Sequence, residues 1–409
     1  MKNVLFLLDY YLPNASANGI CVNKVVQELL ENKINVSIIC YEDTINKALN
    51  SNEDKSKKEK IYYLPHSPQK KRFHSIVFYL KWIFERKRLP FENKKVSEDM
   101  LRLVEEVVVK EKIDTVVCTY LPIETITVGK KLKEKYPSLN IVAYMLDSLS
   151  GGFVPRLLPE SFCRKKKIIW ENKTLSCFDQ VILMEASKKH HEKYSKMEKW
   201  YQRAYFLDIP ALSKNNNYTH KSQNKNGEIV ISFVGTMCPG VRTPYALLKV
   251  LAGIKDIKIR FVIAGKNNCG DLSDYVKGNE NIILDIRGEI PYDEAQQIIG
   301  NSDYLVNLGN VNTNLVPSKI FEYMSYGKPI ISTYTCDEDS SLPYLYKYPL
   351  VYSIYEGKED FTKTSEELKD FIEKNKNIRV PYEKIAQSFY KNTPTALYSL
   401  LSLSHKGEE

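Results

Sequence analysis

Ser318, Lys319 and Glu322 stand at helical spacing inside the stretch NLVPSKIFEYMSYGKPII, which runs from Asn314 to Ile331. A hydroxyl and an ammonium at a helix start, with a carboxylate one turn deeper, have a definite chemistry open to them. The unpaired N–H groups and partial positive charge of a helix N-terminus attract phosphate, and Glu322 offers an acceptor for hydroxyls. That set suits a nucleotide, with its phosphates at the helix start and its ribose on the carboxylate. The same residues serve equally well in a capped helix whose lysine and glutamate face water.

More candidates stand where apolar runs stop. Residues 229–234, 259–264, 282–286 and 304–308 read as strands ending at Gly235, Gly265, Arg287-Gly288 and Gly309, and residues 141–146 end at Asp147. In open α/β sheets ligands bind outside the carboxyl ends of the strands, so this edge of the second half reads as a cleft. Glycines there leave backbone open to a ligand, and Arg242, in the loop after Gly235, is near enough to reach phosphate. The plainer alternative is tight-turn glycines, a solvated arginine and an aspartate that caps a turn.

The elements that must position these residues follow from local signals. Pro317 suits the first helical position, Gly327 a left-handed cap, and Pro329 stops the helix before a strand near Ile330. At the other end of the chain, residues 3–8 read as a strand, Val22, Val25, Val26, Leu29 and Leu30 recur at helical spacing, and residues 36–41 form the next strand. That is a βαβ unit and hence a parallel sheet. Residues 116–119 and 180–184 add strands, and residues 128–136 a helix. Residues 209–228 lose all periodicity and fill with Asn, Ser and Lys, as a linker does, before the alternation restarts. The expected domains are therefore 1–208 and 229–384, with a C-terminal helical segment, 385–409, packing across their boundary.

At 409 residues, 43% hydrophobic and 27% charged, the chain has enough apolar material for two globular cores. Eight cysteines include no C-x-x-C pair, and several lie in strand-like runs, which reads as reduced thiols in a cytosolic setting with no zinc site. The adjacent His190 and His191 diverge on a helix and are poor co-ligands. The opening MKNVLFLLDYY has too short an apolar core for a leader and reads as a first strand. No uninterrupted apolar run is long enough to span a bilayer.

The net charge of +9 is uneven. Residues 1–208 carry 36 Lys/Arg against 26 Asp/Glu, and residues 209–409 carry 23 against 24, so the basic excess lies in the first half. Part of it is KKRFHSIVFYLKWIFERKR, which begins at Lys70 and ends at Arg88. Its lysines and arginines alternate with Phe73, Phe78, Trp82 and Phe84, the composition of a helix lying at a membrane surface, or of a core-packed helix with a basic rim. A second basic and aromatic patch joins Arg164, Lys165, Lys166 and Lys167 to Trp170. The interleaved apolar side chains and the lack of a motif speak against nucleic acid.

Two Rossmann-like halves, a linker, a C-terminal helix and PSKIFEYMSYGKPII together resemble the GT-B glycosyltransferases, most of all the retaining, family-four type that uses nucleotide-activated sugars. The family's E-x7-E signature places the ribose on its second glutamate, which Glu322 matches. The first position is Asn314, a departure seen in the P-S-K-I/L-F-E-Y branch that removes a carboxylate from the donor-sugar pocket. The family's basic pair after the first strand of the C-terminal domain falls on Thr236 and Arg242, so the resemblance rests the diphosphate clamp on Arg242 and Lys319. Gly19 matches a glycine-containing loop after the first strand, and Arg287-Gly288-Glu289 resembles the turn whose backbone meets the base.

The resemblance implies two Rossmann-like α/β domains facing each other across a cleft, and a UDP- or GDP-linked sugar as donor substrate, with no resident cofactor. The acceptor would be lipid-linked or a polysaccharide, with hexosyl transfer proceeding with retention in cell-surface glycan synthesis. Asp147 is the candidate to orient or deprotonate the acceptor. Asp337-Glu338-Asp339 reads D-x-D but is expected to be solvated, with no metal required. The basic patches place such an enzyme in the cytoplasm, peripheral at the inner face of the cell membrane. Two alternatives share the fold: a nucleotide-sugar epimerase, and a non-catalytic nucleotide-binding scaffold in keeping with Asn314 and Thr236.

Overall fold

A computed structural model describes residues 1–12, 15–42, 59–65, 89–152, 154, 159–214, 227–310 and 316–403. Asn314, the whole stretch from Lys70 to Arg88 and the linker residues 215–226 lie outside the described residues. The chain forms two compact units, Met1–Pro210 with Lys391–Glu409, and Ala211–Tyr390.

The first unit is built on β1 (Asn3–Leu7), β2 (Asn35–Tyr41), β3 (Lys60–Leu64), β4 (Thr115–Tyr120), β5 (Asn140–Met145), β6 (Gln180–Met184) and β7 (Ala204–Leu207). These are parallel, in the order β3-β2-β1-β4-β5-β6-β7. The central strands are apolar without alternation because both faces are covered. On one face Leu5, Leu7, Val116 and Cys118 join the apolar stripe Val96, Met100, Val104 and Val107 of a helix, Lys94–Lys110, and residues of a second, Ile123–Lys135. On the other, Val4, Phe6 and Val117 meet Val22, Val25 and Leu29 of the helix Ala17–Glu31. These three helices are α1 (Ala17–Glu31), α2 (Lys94–Lys110) and α3 (Ile123–Lys135), followed by α4 (Glu160–Leu175) and α5 (Lys188–Ser195). The chain's last helix, Pro394–Leu403, packs in this unit too, through Ala396, Leu397 and Leu401 and a bond from the Thr395 hydroxyl to Glu28 at 3.0 Å.

The second unit repeats the plan. β8 (Ile229–Val234), β9 (Ile259–Ala264), β10 (Ile282–Gly288), β11 (Tyr304–Asn307), β12 (Ile330–Tyr334) and β13 (Val351–Tyr355) lie parallel in the order β10-β9-β8-β11-β12-β13. Its helices are α6 (Tyr245–Gly253), α7 (Tyr292–Asn301), α8 (Lys319–Ser325), α9 (Leu342–Lys347), α10 (Thr362–Asn375) and α11 (Tyr382–Ser388). Ile231, Phe233, Phe261, Ile263 and Val306 pack against Leu247 and Leu251 of α6 and Leu368 and Ile372 of α10. Two parallel sheets, each flanked by helices, are the two Rossmann-like domains of a GT-B fold. In each sheet the strand order reverses once, between β1 and β4 and between β8 and β11, and a crevice opens at such a point.

Candidate functional site

The site in the second unit begins with glycine. β8, β9 and β10 end at Gly235, Gly265 and Gly288, whose backbones stack: the Gly235 N–H donates to Ala264 O at 2.8 Å and the Gly265 N–H to Gly288 O at 2.6 Å. A Cβ on Gly265 would stand 2.1 Å from Gly235 O, and its φ of +126° disfavours any side chain. Gly288, at φ +67°, faces open space. The result is a ledge of bare backbone along three strand ends. The sequence marks Gly235 and Gly288 as ligand contacts, while Gly265, the most constrained of the three, is read only as a strand end.

Beyond Gly235 the chain turns tightly, with the Cys238 N–H donating to Arg242 O and the Arg242 N–H to Cys238 O, both at 3.0 Å. This folds half-buried Arg242 back toward the strand ends. Burial lowers the pKa of its guanidinium, and no carboxylate among the described residues pairs with it. The helix α8 supplies the second cation. It begins at Lys319 with Ser318 at its N-cap, two residues later than expected: Pro317 precedes the cap instead of opening the helix, and its carbonyl accepts from the Ile320 N–H at 3.2 Å. Gly327 ends it at φ +67°, where a Cβ would lie 2.2 Å from Val380 O.

Lys319 Nζ donates to Val234 O at 2.7 Å, and the Tyr323 hydroxyl one turn on accepts from the Val234 N–H at 3.2 Å. α8 thus grips the last peptide of β8 beside the glycine ledge. Burial lowers the Lys319 pKa, Glu322 opposes that shift and Arg242 adds to it. Two cations that repel each other at a bare-backbone edge form a place for an anion. Ser318 is exposed at the N-cap, where its side chain makes no capping bond. Glu322 is half-buried, and Oε1 accepts from Gln296 Nε2 at 2.7 Å, a partner on α7 that the sequence does not announce.

One expectation is corrected nearby. Asp337 and Glu338 are exposed, but Asp339 is buried and accepts from the Ser341 N–H at 2.8 Å and the Ser341 hydroxyl at 2.6 Å, fastening the start of α9. The acidic triplet is therefore not solvated throughout. Among the described residues no three His, Cys, Asp or Glu side chains gather as metal ligands.

The corresponding edge of the first unit carries side chains instead. Asp9 accepts from the Ser16 hydroxyl at 2.6 Å, and burial raises its pKa. Gly19 corrects another expectation: it lies within α1, not in the preceding loop, and a Cβ there would fall 2.0 Å from Tyr10 O. Its part is to let α1 start hard against the strand. Asp147 follows β5 and reaches solvent, while the protein around its carboxyl raises its pKa. The loop it opens is held from behind by Ser150 Oγ, 2.8 Å from His190 Nε2, and by Arg164, which donates to Ser150 O at 3.0 Å.

Deeper still, Glu171 is 1% exposed, and neither oxygen has a partner at hydrogen-bonding geometry. Burial pushes its carboxyl up to about 7, against the pull of the Ser150 hydroxyl and N–H. His191, also buried, is pushed down to about 4 by burial and by His190. The basic patch on α4 is thus only partly a surface. Arg164 pairs with Glu160 and Ser150, Lys167 is buried, and the outward residues include Phe162, Lys165 and Ile169. No helix among the described residues is long and apolar enough to cross a membrane.

No protein-family model and no curated protein matches this sequence. Solved structures do match it along its length. A glycosyltransferase from Rickettsia africae superimposes with a TM-score of 0.60 at 12% identity, covering 99% of this chain and 98% of its own. The lipopolysaccharide outer core galactosyltransferase WaaB gives 0.52 at 14% identity, covering 100% of both chains. A putative UDP-N-acetylglucosamine 2-epimerase from Listeria monocytogenes gives 0.54 at 12% identity, covering 100% of this chain and 98% of its own. At such identities the likeness is one of fold, and that fold serves transferases and an epimerase alike.

Proposed function

We propose that the protein is a glycosyltransferase that moves a hexosyl group from a UDP- or GDP-linked sugar to a lipid-linked or polysaccharide acceptor in cell-surface glycan synthesis. The observation that carries this reading is the pair Lys319 and Arg242, two half-buried cations with no carboxylate clamping Arg242 among the described residues, set beside the Gly235–Gly265–Gly288 ledge. The diphosphate of the donor takes the place of the missing counter-charge, Glu322 holds the ribose, and the bare turn at Gly288 meets the base. In this reading residues 229–384 bind the donor and residues 1–208 the acceptor, and the enzyme belongs to the retaining, family-four type.

The chemistry follows from where charge develops. As the sugar–phosphate bond breaks, negative charge grows on the departing diphosphate, and fixed cations stabilise it at that moment. An acceptor hydroxyl held on the same face as the leaving group attacks with retention, by positioning and without a covalent intermediate or a metal. Asp147, its pKa raised, orients or deprotonates that hydroxyl. The outward Phe162, Lys165 and Ile169 of α4, together with the stretch from Lys70 to Arg88, bring the cytoplasmic enzyme to an anionic membrane surface.

The test is transfer from radiolabelled UDP- and GDP-sugars to lipid-linked acceptors by purified protein, with Glu322→Ala and Lys319→Ala both losing it. Full activity in both variants would sink the reading. A second reading, an epimerase, is kept in view by the fold it shares with the Listeria structure. It predicts interconversion of a nucleotide sugar with no acceptor present.

A further inference from the structure

The Glu322 carboxylate does not stand alone. Gln296 of α7 is 6% exposed, its Nε2 lies 2.7 Å from Glu322 Oε1, and its own Oε1 accepts from the Tyr326 hydroxyl at 2.7 Å. The amide has one workable orientation. An ionised carboxylate only accepts, so the NH2 must face Glu322 and the carbonyl must face Tyr326, whose hydroxyl then donates its single proton to the amide. Three groups are thus polarised in one direction, Tyr326 to Gln296 to Glu322.

The chain is anchored at its far end. Lys328, immediately after the Gly327 cap of α8, is buried, and its Nζ donates to the carbonyls of Ile299, Gly300 and Ser302 at 2.8, 2.6 and 2.6 Å. Ile299 and Gly300 lie in the last turn of α7 and Ser302 is its C-cap, so one ammonium fastens the C-terminus of the Gln296 helix to the end of the Glu322 helix. Gln296 therefore has little freedom to follow Glu322 if the carboxylate swings.

We propose that Gln296 is a positioning residue that fixes Glu322 as a reader of a vicinal diol, so that the site separates a ribonucleotide from its 2′-deoxy counterpart. This rests on the reading of Glu322 as the ribose ligand. With one lone pair of Oε1 taken by Gln296, the carboxylate plane is set, and Oε2 makes no hydrogen bond among the described residues. A cis-diol brings two O–H donors to the two oxygens of a carboxylate held in that way. A 2′-deoxy sugar brings one, and the other acceptor site goes unmet.

The experiment is calorimetric titration of UDP, GDP and their 2′-deoxy forms into the full-length wild type, Gln296→Leu, Tyr326→Phe and Glu322→Ala. The wild type should prefer the ribonucleotide by about tenfold, the worth of one charge-assisted hydrogen bond. Gln296→Leu should reduce that preference to about twofold or less, and Tyr326→Phe should reduce it part of the way. A merely structural role for Gln296 would weaken both sugars together and leave their ratio unchanged, and that result overturns the proposal. If Gln296→Leu fails to fold, Tyr326→Phe decides, since it removes one oxygen only. A preference that Glu322→Ala erases and Tyr326→Phe and Gln296→Leu retain would refute the role of Gln296 and leave the ribose reading standing. A wild type that binds no nucleotide, or binds both sugars equally, would overturn the two together.

Discussion

The two sheets share a strand plan and differ in what their carboxyl edges offer. In the second unit three successive strands end in glycine, and the cationic groups come from elements packed behind, Arg242 from a turn and Lys319 from α8. In the first unit the strand ends carry carboxylates, Asp9 and Asp147, backed by the buried Glu171 and His191 and the half-buried His190. One edge presents backbone and positive charge, which suits an anionic ligand that needs close approach. The other presents side chains with altered proton affinities, which suits a ligand that must be oriented or deprotonated. In the proposed reading, a common scaffold separates the two tasks of a transfer reaction.

The sharpest way to break this contrast is to put a side chain on the ledge. Gly265→Ala should cost the second unit at least about 3 kcal/mol, from the clash with Gly235 O and the left-handed backbone, and abolish nucleotide binding. Thermal unfolding would show the second unit melting early. Gly240→Ala, with φ +76° and no atom within 4 Å of its Cβ, should lose only about 1 kcal/mol.

Next comes the first edge. Asp147→Asn should lower transfer about a hundredfold while the affinity for nucleotide, measured by calorimetry, stays as in the wild type. Equal loss of both would erase the division of labour. On the second edge, Arg242→Ala should weaken nucleoside diphosphate binding by about tenfold or more and nucleoside binding very little, since only the phosphates meet the cation.

A further prediction concerns Glu171 and carries a pH signature. Its carboxyl is raised in the folded chain to about 7, so the folded state holds a proton that the unfolded state has released between the ordinary carboxylate range and neutrality. Stability from this group is present in acid and is lost as pH rises through about 7. Glu171→Gln should therefore stabilise the first unit at pH 8, by up to about 3 kcal/mol, and do little at pH 5. Denaturant titrations at the two pH values check it, and a stabilisation equal at both would contradict the assignment.

What was legible in the sequence is what local chemistry dictates. Pro317 and Gly327 bound α8 because proline and glycine act through their own backbone, and the apolar runs mark the strands because a doubly covered parallel sheet has no polar face. Gly265 was visible as a strand end, yet its tightness comes from a neighbouring strand. Helix α2 carries its signal in one stripe, Val96, Met100, Val104 and Val107, with neither a proline nor a glycine at its ends to mark them as Pro317 and Gly327 mark α8. Gln296, Lys328 and Glu171 could not be singled out, because each takes its meaning from groups on another element. Gly19 reads as a loop residue for a similar reason: its constraint comes from Tyr10 O, which spacing within α1 does not reveal.

The most direct test of the central claim is the titration of UDP and GDP into wild type and Lys319→Ala under one buffer condition. Binding of one of them in the micromolar to millimolar range, with affinity in Lys319→Ala lower by about tenfold or more, is the predicted result. Binding of neither to the wild type, or equal binding to the two proteins, would contradict it.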